Sequence, residues 1–106
     1  RLPVSAKIRL LETSEKTIAF AQMLSRAGVS WITVHARQRT QRNHTGVVAY
    51  NVVAAVVAAV PEIPIVANGG ITCVADVHNV IAQTHVAGCM VASALLRNPA
   101  LFEKEI

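Results

Sequence analysis

Four short runs of β-branched and aliphatic residues, Val4 to Leu10, Trp31 to His35, Ile63 to Ala67 and Val86 to Ala92, constrain this chain more than any other feature. Little polar alternation interrupts them, as expected of strands in a parallel sheet covered on both faces. Each is followed by a stretch that reads as helix. Thr13 or Ser14 is the candidate N-cap before Glu15 to Arg26, where Ile18, Met23 and Leu24 recur near helical spacing and Gly28 supplies the stop. A second helix is expected over Val47 to Val60, too long for an ordinary strand and closed by Pro61. A third runs from about Cys73 to Ala82, with Thr72 as a possible cap, and Asn98-Pro99 reads as the opening of a last helix through Phe102. The resulting order is βαβαβαβα, with strand-to-strand steps close to the roughly 30 residues of one βαβ unit.

This order defines an α/β chain. It suits either half of an eight-stranded β/α barrel or a small doubly wound sheet. Four barrel strands alone would leave two edges unpaired, an invitation to self-association. With 106 residues there is room for one core, and at 53% hydrophobic and 15% charged the chain is too apolar to stay disordered. The longest apolar stretch, Gly46 to Val60, is interrupted by Tyr50-Asn51 and falls short of the roughly 18 apolar residues of a membrane span. Arg1-Leu2-Pro3-Val4 shows none of the features of a signal peptide. Cys73 and Cys89 lack CxxC spacing, which fits a reducing compartment.

Net charge is +4, from ten Lys and Arg against six Asp and Glu. The most uneven patch, Arg37-Gln-Arg39-Thr-Gln-Arg42-Asn-His44, contains no acid. It reads either as a solvated loop or as a field that attracts phosphate, on a nucleotide or an RNA backbone, without reading bases.

The chemistry-bearing residues fall at one end of the predicted strands. Lys7 and Arg9 lie late in the first, His35 and Arg37 close the second, Asn68-Gly69-Gly70 follows the third, and Gly88 and Ser93 bracket the fourth. In parallel β/α folds the loops at the carboxyl ends of the strands build the site. Alternation puts Val4, Ala6 and Ile8 on one face and Ser5, Lys7 and Arg9 on the other, so Lys7 is expected to reach the mouth or face an anion. Two consecutive glycines between strand and helix let the backbone approach a ligand and aim N–H groups at an anion, although a plain tight turn has the same composition. His44, His78 and His85 lack metal-ligand spacing and read as surface residues, and neither cysteine has a neighbouring base that would make it a nucleophile.

Val4-Ser-Ala-Lys7-Ile-Arg9, Trp31-Ile-Thr-Val-His35-Ala-Arg37, Ile65-Val-Ala-Asn68-Gly-Gly70-Ile71 and Gly88-Cys-Met90-Val-Ala-Ser93-Ala-Leu-Leu-Arg-Asn98-Pro99-Ala-Leu-Phe102 together resemble the tRNA-dihydrouridine synthases, in order and spacing, across nearly the whole chain. The resemblance implies the C-terminal half, strands five to eight, of that family's flavin-binding TIM-type barrel. It also implies an FMN enzyme that draws on NADPH to reduce the C5–C6 double bond of uridine in tRNA, a cytoplasmic activity. Lys7 would then lie against the pyrimidine edge of the flavin. His35, Asn68, Gly69 and Gly70, with backbone at Ala92 and Ser93, would hold the ribityl phosphate. Arg9 and Arg37 would face the mouth, and Arg39 and Arg42 would be candidate tRNA contacts.

The sequence departs from the family in three respects. Ala36 stands where the family has glycine, and Ser93 where most members have arginine. The cysteine that protonates uracil is expected upstream, so no catalytic residue is expected in this chain, and the helical RNA-binding domain is expected to be absent as well. Two alternatives stay open: another phosphate-binding β/α barrel, such as an isomerase, or a non-catalytic half-barrel that binds ligands or partners. Lys7 and His35-Ala-Arg37 favour the flavin, because a bare sugar phosphate does not need them.

Overall fold

The computed structural model describes residues 2–38 and 48–103. Arg39, Arg42 and the rest of the basic segment to His44 lie outside the described residues. The elements are β1 (Ala6–Leu10), α1 (Ser14–Ala27), β2 (Ile32–Gln38), α2 (Tyr50–Ala59), β3 (Ile65–Asn68), α3 (Val74–Thr84), β4 (Gly88–Met90) and α4 (Ser93–Arg97). All strand pairs are parallel and the sheet order is β1-β2-β3-β4, so chain order and spatial order coincide. The reversal of order that creates the switch point of a doubly wound sheet does not occur among the described strands.

Pairing register explains which residues share a face. Ile8 lies beside Val34, and Val34 beside Ala67, which is next to Cys89. This row meets the helices: Val53 and Val56 of α2 and Val80 of α3 join Ile8, Val34 and Ala67 in the core. Helix α2 packs on α1, α3, β2 and β3, so the three longer helices lie together on one side. The Ala and Val composition of α2 gives it weak intrinsic helicity, and burial of Val53, Val56 and Val60 with no exposure holds it in place.

The opposite face carries two polar rows. Lys7 pairs with Thr33, then Val66 and Gly88; Arg9 pairs with His35, then Asn68 and Met90. Among the described residues helices pack on one face, and the other presents side chains that helices would have to desolvate.

Element ends follow local chemistry. Thr13 is the N-cap of α1, its Oγ1 accepting from Lys16 N at 3.1 Å, and Gly28 closes the helix by donating to Ser25 and Leu24 carbonyls. For α3 the N-cap is Cys73 rather than Thr72. Thr72 donates instead to the Asp76 carboxylate, through N at 2.9 Å and Oγ1 at 2.7 Å. The last helix lies earlier than expected, over Ser93–Arg97, with Asn98 as its C-cap. A residue preceding proline is driven out of helical dihedrals, and Asn98 sits at φ −139° and ψ 89°. Its Oδ1 accepts from Ala100 N at 3.1 Å, capping a turn. No described helix is long and apolar enough to cross a membrane.

Candidate functional site

At the carboxyl ends of the strands a cleft of about 250 Å3 opens. Its walls bring together Lys7, Arg9, His35, Arg37, the Asn68-Gly69-Gly70 turn, Ala92 and Ser93. Every described residue expected from the sequence to serve the site therefore lines one concavity. Arg97 joins them, one turn beyond Ser93 on α4. No aspartate or glutamate is among the described lining residues. Such a cleft attracts anions, because low-dielectric walls of one charge sign focus the field.

His35 is buried at the centre of the polar row, 9% exposed. Burial, then the charges of Arg9, Lys7 and Arg37, lower its pKa from 6.5 to about 4. The imidazole is therefore neutral at pH 7, with one nitrogen donating and the other accepting. Neither ring nitrogen has a hydrogen-bond partner among the described residues, nor does the buried Nε of Arg37. Buried polar atoms left unpaired cost about 1–3 kcal/mol each, so a polar partner at this cluster would be favoured.

Gly69 and Gly70 follow β3 with φ 109° and 74°, values that L side chains rarely adopt. Space enforces the same choice. A Cβ on Gly69 would come within 2.8 Å of His35 Cδ2, and one on Gly70 within 2.9 Å of Val48 Cγ2 and 3.0 Å of the Tyr50 oxygen. Tyr50, at the start of α2, donates its hydroxyl to the Gly69 carbonyl. Burial, then Cys89 once ionised and the Asp76 carboxylate, raise the phenol pKa above its ordinary value, so it remains a donor. Asn68 spends one amide N–H on the Met90 carbonyl at 2.8 Å, tying the end of β3 to that of β4.

The cysteines stand apart. Cys73 is exposed at the N-cap of α3. Cys89 packs against the core on the helix side of β4, where burial pushes its thiol pKa up. Neither lines the cleft. Ala36 is fully buried in the core and also takes no part in the lining.

Sequence reasoning missed Arg97 and Tyr50. Arg97 had a readable cue, since Ser93 and a residue four further on share a helix face, but the helix was expected later in the chain. Tyr50 is the single tyrosine. It registered only as an interruption of an apolar stretch.

These features define a parallel β/α protein with a cation-lined cleft at the carboxyl ends of its strands. Comparison with known proteins narrows the class. The sequence pattern of the dihydrouridine synthase family (Dus) matches residues 1–106, the full length given, and the chain belongs to that family. It is 44% identical over 103 residues to the Rattus norvegicus tRNA-dihydrouridine(16/17) synthase NAD(P)(+)-like protein, an alignment covering 96% of this chain and 23% of the relative. It is 41% identical over 102 residues to the Mus musculus tRNA-dihydrouridine(20a/20b) synthase NAD(P)+-like protein, covering 96% and 31%. With a probable tRNA-dihydrouridine synthase of Aquifex aeolicus it shares 32% identity over 103 residues, covering 97% and 32%. The chain thus spans less than a third of the length of each of these curated relatives.

Proposed function

We propose that this chain is the second half, strands five to eight, of the flavin-binding barrel of a tRNA-dihydrouridine synthase that reduces uridine in tRNA. The observation that carries the reading is the cleft itself: a neutral buried histidine with both nitrogens unpaired, beside a two-glycine turn and four cationic side chains, in a member of this family. A phosphorylated flavin fits that donor set. Its phosphate suits the His35, Gly69-Gly70 and Ala92-Ser93 cup, and its ring system, anionic when reduced, suits Lys7. Bound FMN would supply the two-electron chemistry, taking electrons from a reduced nicotinamide such as NADPH and passing them to the uridine C5–C6 bond.

The residues of this chain bind, orient and balance charge. His35, held neutral, offers one donor and one acceptor without adding a fifth positive charge to the cleft. Asn68 fixes the distance between the β3 and β4 ends of the cup through Met90. Ala36 points its methyl into the core, so the alanine leaves the cleft open. Ser93 offers a hydroxyl and backbone where a longer cation would reach further. Arg9 and Arg37 face the mouth, and Arg39 and Arg42 are the proposed tRNA backbone contacts.

Neither Cys73 nor Cys89 lines the cleft, so the cysteine that the family resemblance implies for protonating uracil C5 is proposed to lie outside these residues. A volume of about 250 Å3 also falls below the about 300–1,000 Å3 of a complete ligand pocket, as one wall of a larger site would. Flavin absorbance and dihydrouridine formation in tRNA with NADPH test the reading. The full-length protein is expected to take up FMN and form dihydrouridine, while residues 1–106 alone fall short by at least the roughly 10²–10⁴-fold of a missing general acid. A full-length protein that binds no flavin overturns the proposal.

A further inference from the structure

Two successive glycines form the most flexible link a chain can have, yet an anion cup requires a fixed one. Tyr50 meets that need from outside the cleft. Its hydroxyl donates to the Gly69 carbonyl. The start of its helix is itself anchored, Ala49 N donating to Ala36 O at 2.9 Å. Val48 and the Tyr50 oxygen fill the space behind Gly70, where a Cβ would meet them at 2.9 and 3.0 Å.

The peptide joining Gly69 to Gly70 is planar and trans, so its carbonyl and its N–H point in opposite directions. A carbonyl drawn toward Tyr50 therefore turns the Gly70 N–H away from Tyr50. Gly69 and Gly70 line the cleft and Tyr50 does not, so a Gly70 N–H turned away from Tyr50 can face it. Among the described residues no backbone carbonyl accepts from that N–H. We propose that Tyr50 is a positioning residue whose hydroxyl holds the Gly69 carbonyl so that the Gly70 N–H is presented to a phosphate in the cleft. The assignment rests on the reading that the cleft takes a phosphorylated flavin, and it names the device that sets the phosphate end of that site.

The test compares FMN with riboflavin, which has the same ring and no phosphate, by fluorescence titration of the full-length protein and its Tyr50→Phe variant. Removing the hydroxyl is expected to weaken FMN about two- to tenfold, the range one neutral hydrogen bond spans, and to leave riboflavin unchanged. Equal weakening of both flavins would show a general structural role and overturn the proposal, as would a variant that keeps the wild-type preference. A wild-type protein with no preference for FMN over riboflavin would instead overturn the phosphate reading, and this assignment with it. Gly70→Ala approaches the same turn from its other side and remains informative should Tyr50→Phe fail to fold. It is expected to lower the FMN preference too, and an unchanged preference would count against the proposal.

Discussion

At the scale of single residues, His35 and Gly69 depend on each other, since a methyl on the glycine would overlap the imidazole edge. Gly69→Ala is expected to destabilise the fold by about 1–3 kcal/mol, combining left-handed strain with the clash, and to abolish FMN retention on gel filtration. Lys7→Met should behave in the opposite way. It keeps the cup and its flavin but slows flavin reduction by NADPH about 10²-fold in stopped flow, as loss of one preorganised charge at a developing anion does. His35 makes a separate prediction. With a folded pKa of about 4 against 6.5 unfolded, only the unfolded chain takes up a proton between those values. Stability to urea should therefore fall as the pH drops from 6.5 to 4, by up to about 3 kcal/mol, and level off below 4. An imidazole NMR midpoint near 6.5 would contradict this. Most of these residues were legible in the sequence because a parallel strand order sends every βα junction to one end. Tyr50 was not, because the carbonyl it holds is 19 residues away and no local spacing encodes that contact.

At the scale of elements, helix starts and stops were legible where the chemistry is local. Thr13 caps α1 with its hydroxyl, and Gly28 ends it in the left-handed conformation glycine adopts freely. Strand ends were less so. The apolar run of the second strand stops at His35, yet β2 continues to Gln38: Ala36 is core, but Arg37 and Gln38 are polar, so the apolar pattern ends before the strand does. The C-cap of α3 shows a local compromise: His85 adopts φ 63°, left-handed, to donate its N–H to Ile81 O. His85→Gly should relieve that strain and stabilise the fold by about 0.5–1 kcal/mol, readable as a rise in the urea midpoint at unchanged m-value. A lower midpoint would show that the imidazole contributes more than its backbone strain costs.

At the scale of the molecule, the sequence left open whether the strands lie in chain order, because order in a sheet is a long-range property that periodicity does not carry. The sequential arrangement has a consequence for association. Strands β1 and β4 are the two ends of the described sheet, and Leu96 and Phe102 beyond β4 are 87% and 53% exposed. Unpaired parallel edges beside exposed apolar side chains favour pairing with another chain. Residues 1–106 expressed alone should therefore sediment faster than a monomer, and the full-length protein should not acquire this behaviour from the same surface. A monomeric isolated chain at tens of micromolar would refute this.

The backbone bond from Ala49 to Ala36 has a further meaning for how this mouth can diversify. It ties the residue before α2 to β2, so the two ends of the segment outside the described residues are fixed to each other. Closure entropy grows only with the logarithm of loop length, about 0.6 kcal/mol per doubling. The segment between Gln38 and Val48 is thus an exchangeable cassette. Inserting four Gly-Ser residues there should leave the urea midpoint and FMN retention nearly unchanged. Loss of flavin on insertion would mean that this bond does not isolate the cup from the segment. With that bond in place, the glycine turn and its tyrosine are held still while the sequence between Gln38 and Val48 can change.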